Sequence, residues 1–359
     1  MSRFLQLHLL TSYPPANLNR DDQGRPKTAR MGGVERLRVS SQSLKRHWRT
    51  SELFQQALAG HVGVRTKMLG RGVYDKLVAA GIKEKQANEW AQAIAGVFGK
   101  SKKASKDKPL LELEIEQLVH ISGDEQAAID ALVATLIDAQ RSPEDEELEL
   151  LRHNTSAADV ALFGRMLASK PAYNIEAACQ VAHALSVHPV VIEDDYFTAV
   201  DDLNDGQEDS GSSHIGETGF AAGLFYSYLC INREQLIDNL GGDVALADKA
   251  IAALIEAAVK VAPSGKQNSF AQQGYASYVL AEMGEQQPRS LSAAFLKPVE
   301  PKGWQETDYL AQAIEQLQNQ YTKFDKAYGQ CATARYELNV NAEQGTFAAL
   351  LDFVASANH

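Results

Sequence analysis

No run of about 18 apolar residues occurs in this chain, so no helical membrane span is expected. The three cysteines, Cys179, Cys230 and Cys331, lie far apart and form no CxxC. That spacing supports neither a disulfide framework nor a zinc knuckle, and it predicts buried, reduced thiols. The nine histidines form no HExxH and no HxH; His8, His47, His183, His188 and His214 are read as structural. Gly70-Arg-Gly72 and Gly241-Gly242 extend to neither of the phosphate-cradling patterns GxGxxG and GxxxxGKS/T, so a dinucleotide or ATP has no support. There is no GxSxG elbow. Without a nucleotide, metal or nucleophile constellation, the expectation is a protein that is not an enzyme and carries no cofactor and no metal.

The first ten residues are apolar enough to raise the question of a signal peptide, but Gln6 and His8 interrupt them and no small-residue cleavage site follows. A soluble, cytoplasmic protein is therefore expected. At 359 residues, with 45% hydrophobic and 23% charged content, the chain has room for two domains or one domain with large insertions.

Charge is what stands out. Residues 1–50 hold ten Lys/Arg against three acids, a net of +7; with −11 overall, residues 51–359 carry −18. A cationic island in an acidic chain points to a polyanion or phosphate contact. Within it Ser40, Ser41 and Gln42 bring hydroxyls, an amide and backbone N–H groups to a predicted helix start, where anions are favoured. Lys45 and Arg49, at i and i+4, extend that surface by a turn, and Arg46 flanks it. Arg20, Lys27, Arg36 and Arg38 come from the preceding loop and strand. The plainer alternative is a solvated cationic helix face. Asp21-Asp22 could hold a metal for phosphodiester cleavage or simply orient Arg20 and cap the loop, and the second reading is preferred. Glu193-Asp-Asp195 and Asp201-Asp202 match no metal-ligand spacing and read as a solvated hairpin.

Along the chain, residues 3–11 alternate as a strand, with Leu5, Leu7 and Leu9 on one face and Gln6 and His8 on the other. A loop from Pro14 to about Gly33 is expected, then a short strand at Leu37 and Val39, then a helix capped by Ser40 or Ser41 and running to about Ala59. Residues 61–180 read as a helical insertion, with a lysine-rich loop at Lys100–Lys108, an acidic helix start at Pro143–Glu147 and a short amphipathic helix over 176–186. Residues 189–232 return to strand character around a Gly-, Ser- and Asp-rich excursion. Helices follow over 233–240, closed by Gly241-Gly242, and over 243–261, capped by Asp243; strand-like residues run to about 282, and a helix over 307–327. The result is an α+β core. Gly164-Arg165-Met166 joins a glycine that permits close backbone approach, a phosphate-seeking arginine and a flexible apolar wedge. Tyr196-Phe197 offers stacking surfaces. Core packing is the commoner use of both.

Taken together, Leu18-Asn-Arg-Asp-Asp22, Gly32-Gly33, Arg38-Val-Ser-Ser-Gln-Ser-Leu-Lys-Arg46, Gly164-Arg-Met166, Phe197-Thr-Ala-Val-Asp-Asp202, His214-Ile-Gly216 and Asn239-Leu-Gly-Gly242 resemble the CasC family, the repeated backbone subunit of the type I-E CRISPR Cascade complex. The likeness covers residues 1–60 and 155–270 well and the rest by position. It implies an RRM-like (ferredoxin-like) palm over 1–60 and 181–359, helical fingers over 61–180, and a protruding β-hairpin thumb at about 193–220. It also implies that Arg20, Lys27, Arg38, Ser40, Ser41, Gln42, Lys45, Arg46, Arg49, Gly164, Arg165, Met166, Lys266 and Gln267 contact CRISPR RNA. Met166, Tyr196, Phe197 and Val200 would shape a kink in it. The implied partners are CRISPR RNA, target DNA through the guide, neighbouring copies of the same chain and other Cascade subunits, with no membrane. No catalytic residue carries over. The rival of another class is a metal-dependent endoribonuclease of the same fold using Asp21 or Asp22.

Overall fold

The computed structural model describes residues 2–199, 214–300 and 308–355. Its strands are β1 (Phe4–Ala16), β2 (Thr28–Met31), β3 (Val34–Val39), β4 (Val64–Thr66), β5 (Val119–Ile121), β6 (Cys179–Val181), β7 (Ala184–Ser186), β8 (Glu193–Ala199), β9 (His214–Asn232), β10 (Tyr278–Gly284) and β11 (Ala334–Asn339). Its helices are α1 (Ser41–Thr50), α2 (Glu52–Ala57), α3 (Leu69–Ala79), α4 (Glu84–Phe98), α5 (Gly123–Ala139), α6 (Ala158–Phe163), α7 (Arg233–Asn239), α8 (Val244–Lys260), α9 (Gln267–Phe270), α10 (Tyr309–Tyr328) and α11 (Phe347–Ala355). The class is α+β, with a large sheet in the order β11-β10-β1-β9-β7-β3-β2. The β1–β10, β10–β11, β2–β3, β3–β7, β7–β9 and β8–β9 pairs are antiparallel.

The chain forms two compact units: residues 1–54, 181–230 and 254–359 in the first, 55–180 and 231–253 in the second. Residues 55–60 and 231–253 thus group with the helical part, where the sequence-based division put them with the sheet.

In the first unit β1 lies inside the sheet, between β10 and β9. Both its faces are covered, so Gln6 and His8 are buried along with Leu5, Leu7 and Leu9. Buried polar groups need partners. Gln6 Oε1 accepts from the Tyr228 hydroxyl and the Arg289 N–H, each at 2.8 Å. His8 bonds the Tyr226 hydroxyl (2.9 Å) and Glu282 (3.2 Å). Burial pushes the His8 pKa below its ordinary value and keeps the ring neutral. Burial works to raise the Glu282 pKa, but hydrogen bonds from His8 and Arg289 outweigh it and hold the carboxyl well below the usual carboxylate range. Arg335 also donates to Glu282, at 2.7 Å. His8 is structural, and the three cysteines are buried and free, as expected.

The second unit packs Leu77, Trp90, Ile94, Phe98, Ile129 and Leu136, among others, into its own core. It also carries the small sheet β4–β5.

Several sequence expectations are corrected. The loop from Pro14 is shorter than read, because β1 runs to Ala16 and residues 28–31 form β2, joined to β3 by Gly32-Gly33 at φ +63° and +84°. Only a residue without Cβ fits at Gly32, where one would lie 1.8 Å from the Leu296 carbonyl oxygen. The helix after Ser40 stops at Thr50. Ser51 is extended (ψ 148°), its hydroxyl donates to the Trp48 carbonyl and accepts from the Phe54 N–H, and the chain restarts as α2. Residues 176–186 hold β6 and β7 instead of a helix, because β9 supplies a ladder for both. The acidic stretch after Pro143 makes a single 3₁₀ turn, Asp145–Leu148. The strand-like stretch read from after Lys266 is a short helix, α9, at Gln267–Phe270, and β10 starts only at Tyr278. Other expectations meet their elements: α7 is closed by Gly241-Gly242 at φ +68° and +90°, Asp243 caps α8 through the Leu246 N–H, and α10 begins after Asp308.

Candidate nucleic-acid interface

The cationic island belongs to the first unit, and three sets of contacts draw its parts together. The loop after β1 is closed on itself: Asp21 Oδ1 accepts from the Gln23 and Arg25 N–H groups, both at 2.9 Å, and Arg20 bridges to Pro26. Asn19 Oδ1 accepts from the Ser40 N–H at 2.9 Å, which ties the loop to the start of α1. Buried Asn17 donates to the Gly24 and Gly219 carbonyls, fastening the loop to β9. Arg25 pairs with Asp194 of β8 at 3.0 Å.

Just past the last β2–β3 pair, Thr28↔Leu37, the Arg38 N–H donates to the Lys27 carbonyl at 2.8 Å, so Lys27 and Arg38 lie opposite one another, while the Lys27 N–H donates to the Asn19 carbonyl. Like charges directly opposite one another destabilise a strand pair. Their positive field reaches His183, whose pKa is pushed down by partial burial and then by Arg38 and Lys27.

The third set brings in a distant segment. His47 of α1 donates through Nδ1 to the Ser43 carbonyl, so in the neutral ring Nε2 accepts from the Ser264 hydroxyl at 2.8 Å. Gly265 packs on the backbone of Asn17 and Leu18, where a Cβ would lie 2.3 Å from the Leu18 carbonyl oxygen. Buried Gln272 donates to the Pro263 and Gly265 carbonyls. The Lys266-Gln267 turn, with Lys266 at φ +54°, is thereby set beside α1 and the 17–20 loop. Gln42 and Arg46 are exposed, and Lys45 and Arg49 are half-buried on α1.

Several residues of the predicted cationic surface and contact set do something else. Ser40 caps α1, its hydroxyl accepting from the Ser43 N–H at 3.2 Å, and the Ser41 N–H donates to His183 Nδ1 at 3.1 Å. Both serines are buried, so the helix start offers a phosphate fewer open donors than its sequence suggests. Arg36, read with the cationic surface, is fully buried and donates to the Ser186 and Phe295 carbonyls at 2.9 Å and to Met31 at 3.4 Å.

Arg165 is the clearest correction. It lies in the second unit, buried, with Nη1 at 2.7 Å from both Glu125 oxygens and Nη2 donating to the Arg152 and Tyr173 carbonyls. A guanidinium paired with a buried carboxylate is not available to a phosphate. Gly164, at φ +80° and with no room for a Cβ beside the Ile175 carbonyl, ends α6. These two residues hold Met166, which is 73% exposed at the edge of a cavity of about 260 Å³ also lined by Phe98, Leu118 and Leu167.

On β8, Tyr196 is 64% and Phe197 42% exposed. Neighbouring residues of a strand face opposite ways. Phe197 lies over its partner Gly216, where a Cβ would come within 2.4 Å of the ring, while Tyr196 faces the other side. Val200, Asp201 and Asp202 fall outside the described residues.

Sequence reasoning missed the ties rather than the charges. Asn19, Ser264, Gly265 and His183 carry no charge pattern, and the hydrogen bonds among these ties span up to 217 positions of the chain. Among the described residues, no group of three or more His, Cys, Asp or Glu is arranged to hold a metal, and no helix is long and apolar enough to cross a membrane.

A family model described as CT1975-like protein matches residues 5–353. A solved chain described as "CRISPR RNA-guided surveillance complex, pre-nicking" has 30% sequence identity and a TM-score of 0.83, covering 99% of this chain and 100% of that one. A second, described as "CRISPR RNA-guided surveillance complex", has 26% identity and a TM-score of 0.62, covering 99% of each. No curated protein matches.

Proposed function

The chain belongs to the CT1975-like protein family, and from that premise we propose that it is the non-catalytic, repeated backbone subunit of a type I-E CRISPR Cascade surveillance complex. It holds the ribose-phosphate backbone of the guide RNA, stacks head-to-tail along it with neighbouring copies and other subunits, and leaves base edges free to pair with target DNA. Arg20, Lys27, Arg38, Gln42, Lys45, Arg46, Arg49, Lys266 and Gln267 grip the backbone. Met166, Tyr196 and Phe197 shape the kinks. Such a subunit binds any spacer, so its contacts are charges and donors rather than base-reading pairs.

The observation that carries this reading is the Lys27–Arg38 pair, two like charges joined by a backbone hydrogen bond in an otherwise acidic protein. Their repulsion is relieved by an anion lying between them. Support for an RRM-like palm comes from the order β10-β1-β9-β7, with α1 leading into β7 and α8 into β10, which is the arrangement of a ferredoxin-like sheet. Residues 61–180 take the part of fingers and the β8–β9 hairpin that of a thumb.

Sedimentation of the purified protein with a CRISPR RNA tests the proposal. Assemblies in regular multiples set by spacer length are expected; a single copy per RNA, or no binding, overturns it.

A further inference from the structure

His183 sits one residue before β7, where the β3–β7 ladder (Arg38↔Leu185, Val39↔Ala184) delivers it to the start of α1. Its Nδ1 accepts the Ser41 N–H at 3.1 Å. An imidazole whose Nδ1 accepts must, when neutral, carry its proton on Nε2. Among the described residues that Nε2–H meets no protein acceptor. The ring is exposed, and among the described residues the charges that act on it are the two cations Arg38 and Lys27. An exposed donor with a fixed tautomer, set beside two cations at a helix start, is matched to an anionic oxygen.

We propose that His183 is a further contact of this site, presenting Nε2–H as a neutral donor to a phosphate oxygen held between Lys27 and Arg38. The assignment rests on the RNA-binding reading above and adds a residue that its own sequence context marked as structural. The ring stays neutral at neutral pH because protonation would set an Nδ1–H against the Ser41 N–H, beside two cations and the positive end of α1. The contact is therefore a hydrogen bond without charge, and it releases no counterion when it forms.

That distinction makes it testable. RNA affinity is measured against salt for the wild type, His183→Ala, His183→Gln and Lys27→Ala, with thermal melts confirming that each folds. His183→Ala is expected to weaken binding about threefold to tenfold, the worth of one neutral hydrogen bond, with an unchanged salt slope. Lys27→Ala flattens the slope by about one unit. His183→Gln, which keeps an acceptor and a donor, restores most of the affinity. With ¹⁵N-labelled histidine, addition of RNA shifts the His183 Nε2 resonance and leaves Nδ1 in place. A His183→Ala protein that binds like the wild type, a flattened slope in that variant, or an unmoved Nε2 resonance overturns the inference and leaves the RNA-binding reading standing. A wild type that does not bind RNA overturns that reading itself.

Discussion

Two arginines that look equally suited to a phosphate, Arg38 in the first unit and Arg165 in the second, have opposite surroundings. Arg38 lies opposite Lys27, joined to it by a backbone hydrogen bond, and among the described residues it makes no ion pair. Arg165 meets Glu125, a carboxylate as buried as itself, which also accepts the Ser122 and Arg152 N–H groups. A buried charge is tolerable only when paired and hydrogen-bonded, so Arg165 is committed to holding its unit together. Arg38 is half-buried and spends only its Nε, on the Thr28 carbonyl at 3.3 Å, which leaves the rest of its guanidinium for a ligand. Motif chemistry alone does not separate the two; the nearest carboxylate does.

Four experiments break or sharpen this contrast. The largest effect is expected from Glu125→Ala, which strands the Arg165 charge and should cost about 3–5 kcal/mol in chemical denaturation of the second unit. Removing both partners with Glu125→Met and Arg165→Met should recover much of that loss. Neither change should alter the salt slope of RNA binding; a flattened slope would return Arg165 to the interface.

Next, Lys27→Ala with Arg38→Ala should weaken RNA binding by about 2–3 kcal/mol and flatten the slope by about one to two units. Because the like-charge pair is gone, the same variant should melt no lower than the wild type. Acidification follows. His8, His183 and His188 all have pKa values lowered in the folded state, burial being the first cause of each. Such groups support folding above their unfolded pKa, about 6.5, and withdraw that support as the unfolded chain takes up protons below it. The first unit should therefore lose stability between about pH 7 and pH 5, and His8→Gln should reduce the slope of stability with pH in a titration of denaturation midpoints. The smallest effect is Ser40→Ala, which removes the α1 cap at about 1 kcal/mol and leaves the RNA salt slope unchanged.

The rival nuclease reading predicts a different outcome at Asp21. Its carboxylate is engaged by two backbone N–H groups of its own loop. Asp21→Ala should loosen that loop and lower RNA affinity, and labelled RNA with magnesium or manganese should give no cleavage product that the variant abolishes.

Much of the fold was legible from residues. Alternation in Leu5, Leu7 and Leu9 marked β1, Ser40 marked the start of α1, Asp243 that of α8, and Gly241-Gly242 the end of α7. These signals are local: side-chain periodicity, capping and positive φ act within a few residues. Burial of Gln6 and His8 was not legible, since a strand covered on both faces looks half-exposed when its polar residues find partners in β9 and β10. β6 and β7 were read as a helix because three-residue strands are too short to show a period. In the candidate site the charges were visible; the donors already spent at the start of α1 were not, because His183 is 142 positions away.

By itself the amino-acid order determined the segregation of +7 into the first 50 residues, the local boundaries of the long elements, and the lack of any cofactor motif. Tertiary structure alone decided which cations serve the interior and which face outward. Arg36 and Arg38, two residues apart on one strand, diverge because carbonyls of Ser186 and Phe295, 150 and 259 positions away, enclose the first and not the second. Charge is a property of the residue, but desolvation and pairing belong to its neighbours in space, and folding is what chooses them.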